Sequence, residues 1–307
     1  MTAPPVPASA TPSPPERPTA LVAGTSLWQD AWKRLRKNRA AVAGGVITIL
    51  LMLLCFLGPF VVKAVWGYGY ADQNLSYGAR GPSAQHWFGT DFFGRDLLTR
   101  VMFGGQISLV VGLLSATVAA VIGTMYGAVS GYAGGRVDGV MMRIVDIIYS
   151  LPYMFLIIIL ATIFQRSLVM LFIALGFVGW LTTARIVRGQ TLSLKEREFV
   201  QAARSVGTNA RGILFRHLIP NAIGPIIVYF TLTVPEMILQ EAFLSFLGLG
   251  VQAPRPSLGA LINDGARHMT VFWWELAFPG AVMALLLFCL NFLGDGLRDA
   301  LDPQMKR

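Results

Sequence analysis

The sequence predicts an all-α membrane protein with six transmembrane helices, and three observations support this fold class. Of its 307 residues, 54% are hydrophobic and only 13% are charged, whereas soluble domains carry roughly 25% charged residues. The charged residues are clustered, so that long uncharged stretches alternate with short charged ones. Each uncharged stretch approaches the ~20 residues that a helix needs to cross a bilayer. Helices are the expected form, because lipid offers the backbone no other hydrogen-bonding partner.

Six apolar stretches define the predicted spans. They are residues 40–62, 107–132, the segment between Asp146 and Arg166, and residues 167–184, 220–235 and 276–294. We expect the third and fourth spans to form a tight hairpin at Arg166. The stretch 237–251 is shorter and contains glycines, so we expect an outer elbow or a re-entrant segment there.

The basic residues predict the orientation in the membrane. With the N-terminus inside, the internal segments are 1–39, 133–146, 185–219 and 295–307. They hold 18 of the 25 Lys and Arg residues, and the external segments hold 7. This asymmetry predicts a multi-pass protein of the cytoplasmic (inner) membrane with both termini in the cytoplasm. The net charge of +9 follows from this topology, so we expect no binding to nucleic acid.

The sequence divides into four segments: a tail rich in proline and alanine (1–25), an N-terminal helical part (26–62), an external loop (63–100) and a core (101–307). We expect the tail to be disordered, because its composition buries too little apolar surface. In the second segment, Trp28, Trp32 and Leu35 recur at helical spacing among basic residues. This pattern predicts an amphipathic helix on the inner leaflet. A simple stop on translocation is the alternative interpretation.

Small residues recur every three or four positions along the second span. They are Gly112, Ala116, Ala120, Gly123, Gly127 and Gly131. Small side chains let two helix backbones approach closely within a membrane. The stripe therefore predicts the most tightly packed helix of the protein, in contact either with its own chain or with a partner subunit.

The longest internal loop between two spans, residues 185–219, carries the candidate functional segment. Periodicity predicts a helix over residues 195–206. Its apolar face contains Phe199, Ala202, Ala203 and Val206. Gly207 would end this helix, and Thr208 or Asn209 would cap the next one. The narrow face, rich in alanine, predicts either docking to another protein or folding back onto the spans.

This loop resembles the EAA loop of ATP-binding-cassette importer permeases. The resemblance rests on Gln201-Ala202-Ala203, Gly207 and the segment 217–220, at the spacing of that motif. Gln201 stands where Glu is usual, and His217 where Ile is usual. Four further motifs in order resemble the C subunit of bacterial oligopeptide permeases; they lie at residues 86–98, 184–193, 243–250 and 294–303. The resemblance covers about residues 26–304.

The resemblance implies a type I importer permease fold and a permease subunit of an ATP-driven oligopeptide importer. Such permeases pair with a sister permease, two ATP-binding subunits and an external peptide-binding protein, which delivers the peptide substrate. The loop helix would transmit closure of the ATP-binding subunits to the pore. The coupling contacts so implied are Phe199, Val200, Gln201, Ala202, Ala203, Arg204 and Gly207.

Signatures of other functions are missing from the sequence. None of the five lysines follows a glycine, so we predict no Walker-type phosphate loop and expect ATP on the partner subunits, with no cofactor here. His86, His217 and His268 are scattered without a metal or nucleophile motif, which predicts no metal site, no catalytic residues and no enzyme.

A secondary transporter driven by an ion gradient is the hypothesis from a different class. It needs ionisable residues within the spans. Glu236 and Glu241, beside Pro235 near the outer end of the fifth span, are the candidates. We expect both to face solvent in an outer vestibule. Dependence of uptake on ATP rather than on the gradient would separate the two hypotheses.

Overall fold

The computed structural model describes residues 27–163 and 168–301, which are almost entirely helical. The helices are α1 (Leu27–Lys37), α2 (Arg39–Trp66), α3 (Leu97–Ala133), α4 (Gly135–Ser150), α5 (Tyr153–Ile163), α6 (Leu168–Leu194), α7 (Glu198–Ser205), α8 (Ala210–Gly212), α9 (Ile219–Asn221), α10 (Ile223–Phe246), α11 (Leu258–His268) and α12 (Trp273–Leu301), with a π-helical turn (Ile213–Leu218) between α8 and α9. The predicted disordered tail and the predicted hairpin at Arg166 lie outside the described residues.

Five helices, α2, α3, α6, α10 and α12, are long and apolar enough to cross a membrane. The pair α4 and α5 supplies a sixth span if it is taken as one broken helix, with an angle of 85° between its halves. Within the two described ranges, the only β contact is an isolated bridge between Thr90 and Asp96. The predicted all-α membrane fold is therefore confirmed.

Several helices extend beyond the predicted spans. α3 begins at Leu97 rather than at residue 107, because the Asp96 side chain accepts a hydrogen bond from the Thr99 amide at 2.8 Å and caps the helix there. α12 continues to Leu301, through residues predicted to be a tail, because Gly296 lies directly against Ala41 of α2. Hydropathy marks the part of a helix that crosses lipid, whereas capping and packing decide where the helix ends.

The predicted third span is bent rather than straight. Pro152 has no backbone N–H and sterically opposes a preceding helical turn. Leu151 is accordingly extended (φ −78°, ψ 140°), which separates α4 from α5. The stretch 133–146, predicted as an internal loop, is helical from Gly135 onwards.

The fifth span is longer than predicted. α10 passes through Pro235 and ends at Phe246. The prediction of an elbow or re-entrant segment is therefore wrong for residues 237–246. Proline is tolerated inside a membrane helix where neighbouring helices support it. Ile238, one turn after the proline, packs directly against Gly112 of α3.

The helix α11 was not predicted from the sequence. Its clearest signal is Ser257, whose hydroxyl accepts a hydrogen bond from the Ala260 amide and caps the helix.

The two glutamates of α10 differ in their surroundings. Glu241 is 0% exposed, so its predicted place in a solvent-filled vestibule is wrong. The hydroxyls of Ser108 and Ser245 donate to its carboxylate at 2.8 and 2.6 Å. These bonds replace the water that an exposed carboxylate would have. Glu236, in contrast, is exposed on the surface of this chain.

The N-terminal helix predicted around Trp32 and Leu35 is present as α1. It ends at Lys37, and the Asn38 side chain then caps α2 by accepting a hydrogen bond from the Ala41 amide at 3.2 Å. Trp32 is exposed, as expected for a helix that presents an aromatic side chain to a membrane interface.

The small-residue stripe of α3 packs within the chain. A Cβ added at Gly131 would lie 2.8 Å from the Cβ of Thr191 in α6, and one added at Gly127 would overlap the Ala184 carbonyl oxygen. Gly123 lies equally close to Thr183. The backbones of α3 and α6 therefore touch over several turns, which favours the intrachain interpretation of the stripe over contact with a partner.

The substitution Gly127→Leu tests this packing. A side chain at this position has no space between the two backbones, so overpacking should destabilise the protein by roughly 1–3 kcal/mol. The expected result is a lower Tm and a lower yield of detergent-purified protein. Val129→Leu, on an exposed part of the same helix, is the control. Equal Tm values for the two variants would contradict the assignment of Gly127 to a helix interface.

Candidate functional site

The candidate site lies at the end of the bundle where α3 and α6 finish and α7 begins, which we call the loop end. α11 lies at the opposite, or far, end. α6 runs to Leu194, so the loop predicted over 185–219 begins only at Lys195. The predicted helix over 195–206 is shorter and becomes α7 (Glu198–Ser205).

Ion pairs explain why α6 continues past its apolar part. Arg188 donates from Nε and Nη2 to the two carboxylate oxygens of Asp138 in α4, at 2.6 and 2.5 Å. Asp138 also accepts from the Ser130 hydroxyl at 2.6 Å. The Nζ of Lys195 donates to the Gly131 carbonyl at 3.1 Å. Because these charged side chains have partners, α6 continues as a helix through residues that the sequence pattern assigned to a loop.

The turn after α7 matches its prediction. Gly207 has a φ of +82°, a conformation that favours glycine, and the Thr208 amide donates to the Ala203 carbonyl at 3.1 Å. This arrangement closes a helix C-terminus. Asn209, rather than Thr208, caps the next segment, because its side chain accepts from the Gly212 amide at 2.8 Å.

The main apolar attachment of α7 to the bundle is the side chain of Val200. Val200 is 0% exposed and forms a small cluster with the buried Ile213 and Leu218 of the π-helical turn. Half-buried side chains that pack against this cluster include Tyr132 of α3 and Leu194 of α6. α7 therefore contacts the ends of two spans and the segment that leads into a third.

The opposite face of α7 is open. Phe199 is 39% exposed and Val206 is 83% exposed. Val206 follows α7 and belongs to the predicted apolar face only; besides Phe199, the exposed members of the predicted coupling set are Gln201, Ala202, Arg204 and Gly207. Two residues of the predicted set, Val200 and Ala203, instead face their own chain; Ala203 is only 7% exposed. Both point inward because the face of α7 that carries them packs against the bundle. Periodicity alone could not show which face of the helix packs inward and which stays exposed.

The Arg204 guanidinium lies 5.5 Å from the centre of the Tyr132 ring of α3. A cation over an aromatic face is attracted by the ring's negative π surface. This contact adds a second, polar attachment between α7 and the end of α3. Arg204 as a whole nevertheless remains exposed.

Phe215 belongs to the open surface but was not predicted as a site residue. It lies on the π-helical turn and is exposed, next to Arg216. Ile213 and Leu218, five residues apart, both point inward, which is the spacing of i→i+5 winding. An α-helical spacing would not place these two residues on one side, so a sequence pattern could not assign Phe215 to the outer face.

The site can therefore offer a rigid helix with exposed apolar side chains to another molecule. Within residues 27–163 and 168–301, no three His, Cys, Asp or Glu side chains are grouped so that they could hold a metal ion. The exposed side chains at this surface are apolar and suit contacts with another protein. They are Phe199, Val206 and Phe215.

Comparison with known families identifies the architecture. Residues 123–307 match the family described as binding-protein-dependent transport system inner membrane component. The chain belongs to this family. Residues 26–82 also match the N-terminal transmembrane domain of oligopeptide transport permease C. The family members are transport permeases, and the fold is that of type I importer permeases.

Curated relatives cover almost the whole chain. The chain is 50% identical over 285 residues to the oligopeptide transport system permease protein OppC of Haemophilus influenzae, covering 92% of this chain and 90% of the relative. It is 52% identical over 283 residues to OppC of Escherichia coli K12, covering 92% and 93%. The dipeptide transport system permease protein DppC of Bacillus subtilis is 46% identical over 284 residues, covering 92% and 87%.

A solved structure supports the fold independently. The MetNI methionine ABC transporter, in an inward-facing conformation, superposes with a TM-score of 0.53. The superposition covers 67% of this chain and 96% of that chain, at 19% sequence identity. At this identity the match bears on the fold alone.

The attachment of α7 can be tested with Val200→Ala. This change removes two methyl groups from a fully buried position, at a cost of about 2 kcal/mol. Hydrogen exchange of the α7 amides should accelerate by roughly 30-fold, since each 1.4 kcal/mol is a factor of ten. Val206→Ala removes the same atoms from an exposed position and should leave exchange unchanged. Similar exchange rates in both variants would show that Val200 does not hold the helix.

Proposed function

We propose that this chain is the transmembrane permease subunit of an ATP-driven importer that moves oligopeptides across the cytoplasmic membrane. Relatives with this assigned role are about half identical to it over 92% of its length. The observation that carries the proposal is α7, which is anchored through Val200 while Phe199 and Val206 remain exposed. An exposed apolar face on an anchored helix is suited to docking with another subunit.

The partners we propose are a sister permease, two ATP-binding subunits and an external peptide-binding protein. ATP is bound and hydrolysed on the ATP-binding subunits. α7 sits in a cleft of one of them through Phe199, Val206 and neighbouring exposed residues. Movement of that subunit displaces α7, and the cluster around Val200 passes the displacement to α3, α6 and the start of α10. The contacts of Val200 thus support a mechanical link from the docking face to three spans.

We further propose that the loop end faces the cytoplasm, with both termini on that side. The 18-to-7 distribution of Lys and Arg supports this orientation through the positive-inside rule. α11 and the segment before α3 then lie on the external side, where the binding protein delivers its peptide.

The orientation can be measured with single cysteines at Ser205 and Asp264, in a background from which Cys55 and Cys289 have been removed. Both target positions are exposed. A membrane-impermeant thiol reagent added to intact cells should label the Asp264→Cys protein. It should label the Ser205→Cys protein only after the membrane is opened. Labelling of both positions from outside would contradict the orientation and the six-span topology.

The coupling role is tested by Val206→Asp. Val206 buries little within its own chain, so the change should leave insertion and stability intact. If Val206 docks in an apolar cleft, an unpaired charge there costs roughly 3–5 kcal/mol, and docking should weaken by a hundredfold or more. The expected result is a variant that is retained in membranes, loses the ATP-binding subunits on purification and imports no peptide. Ala203→Asp would be less informative, because that side chain is buried in its own chain.

Ser193→Asp is the matched control. Ser193 is an exposed residue at the end of α6, ahead of the docking face, so it should retain the ATP-binding subunits. Wild-type retention of the ATP-binding subunits and wild-type uptake by the Val206→Asp variant would contradict a coupling role for α7.

The energy source is tested separately. Uptake that survives ATP depletion and stops when the ion gradient is collapsed would instead support gradient-driven transport.

A further inference from the structure

Glu236 is an ionisable residue inside α10, one of the helices long and apolar enough to cross a membrane, and not at the outer end of a span as the sequence predicted. It lies near the middle of α10, ~20 Å along the helix axis from Ile223 at a rise of 1.5 Å per residue. None of the ion pairs among residues 27–163 and 168–301 includes it. The hydrogen bond that it accepts comes from Gln240 Nε2 at 3.2 Å. The Gln240 side chain is itself fixed, because Tyr153 of α5 donates to its Oε1 at 2.7 Å.

Two cavities lie beside Glu236. The first, of about 560 Å³, is lined mainly by apolar side chains of α10, including Leu239, Phe243 and Phe246. The second, of about 510 Å³, lies beside the break between α4 and α5 and contacts α6 through Val178. Glu236 lines both. We call this place, with Gln240 and Tyr153, the Glu236 site.

The second cavity also borders the non-helical backbone between the two halves of the bent span. Leu151 and Pro152, which interrupt the bent span, line it together with Tyr149. Irregular backbone within a membrane is tolerated where it is buried in protein or lines a water-containing cavity, and broken helices mark substrate paths in many transporters. A carboxylate facing hydrocarbon would be strongly disfavoured. The surface around Glu236 is therefore covered by a hydrated path or by protein, not by lipid.

Resting on the function proposed above, we propose that Glu236 binds the positively charged amino terminus of a peptide as it passes through the importer. Within residues 27–163 and 168–301 no cation forms an ion pair with this carboxylate, and an ammonium group is its complementary ligand. The largely apolar lining of the first cavity can accommodate side chains of varied shape. The amino terminus is shared by linear peptides, so one carboxylate can orient many sequences.

Glu241 cannot have this role, although it lies on the same helix. Two serine hydroxyls already bond its carboxylate, and it has no exposed surface. The difference between the two glutamates is the reason for assigning the ligand to Glu236: one carboxylate is satisfied within the chain, and the other opens onto the cavities.

The test uses the assembled importer, with both permeases and the ATP-binding subunits, in nanodiscs. Binding of radiolabelled trialanine to this complex is measured directly, without the external binding protein. In the wild-type complex, N-acetyl-trialanine should compete at least tenfold more weakly than trialanine, because it lacks the ammonium group. Trialanine amide, which keeps the amino terminus and loses the carboxylate, should compete as well as trialanine. Equal competition by the acetylated peptide would overturn the proposal without use of any variant.

Variants then locate the recognition. Glu236→Gln keeps the size of the side chain and should weaken trialanine binding at least tenfold, while leaving the weaker binding of N-acetyl-trialanine unchanged. Glu236→Asp keeps the charge and should stay closer to wild type. Asp264→Asn, a carboxylate change at the far end outside both cavities, should bind trialanine as wild type does. Unaltered discrimination between the two peptides by Glu236→Gln would overturn the proposal.

Parallel uptake measurements in proteoliposomes with the binding protein separate this inference from the proposed function. ATP-dependent uptake by the wild type, together with unaltered peptide discrimination by Glu236→Gln, would support the proposed importer function and contradict the Glu236 site. Absence of ATP-dependent peptide uptake by the wild type would overturn both. If Glu236→Gln instead loses the sister permease on size-exclusion chromatography, a cation of that subunit pairs with Glu236, and the proposal fails.

Discussion

The close contact between α3 and α6 is the constraint on which the rest of the structure depends. Glycine on α3 lets the two backbones meet at Gly123, Gly127 and Gly131. In a membrane, helices gain little from burying apolar side chains, because lipid is equally apolar; close packing supplies the missing attraction. Once these helices are fixed side by side, their ends at Ala133 and Leu194 are fixed as well, and they form a platform at the loop end.

This platform determines what α7 can do. An eight-residue helix is too short to be stable in water by itself, so its position depends on the cluster around Val200. The same cluster turns Ala203 inward and leaves Phe199 and Val206 outward. Anchoring and docking thus use opposite faces of one helix. A rigid attachment also limits the loss of conformational freedom when a partner binds.

Two buried carboxylates of the described bundle have hydrogen-bonding partners on other helices. Glu241 is held by Ser108 and Ser245, and Asp138 by Arg188 and Ser130. These side chains connect helices that are distant in sequence. Glu236 lacks such a set of partners and opens onto two cavities. Buried polar groups need partners, so a carboxylate left open at membrane depth is more consistent with a role in function than with one in stability.

The sequence by itself determined the membrane fold, the number of apolar segments, the turn at Gly207 and the family, because these depend on local composition, periodicity and motif spacing. It did not determine where helices end or which side of α7 is free. α6 continues beyond Ala184 because Arg188 finds Asp138 on α4, and α10 continues through Pro235 because Ile238 packs on Gly112. Val200 and Ala203 face inward because of the π-helical turn that contains Ile213. Each of these outcomes depends on a residue far away in the chain, and only the tertiary structure brings such residues together.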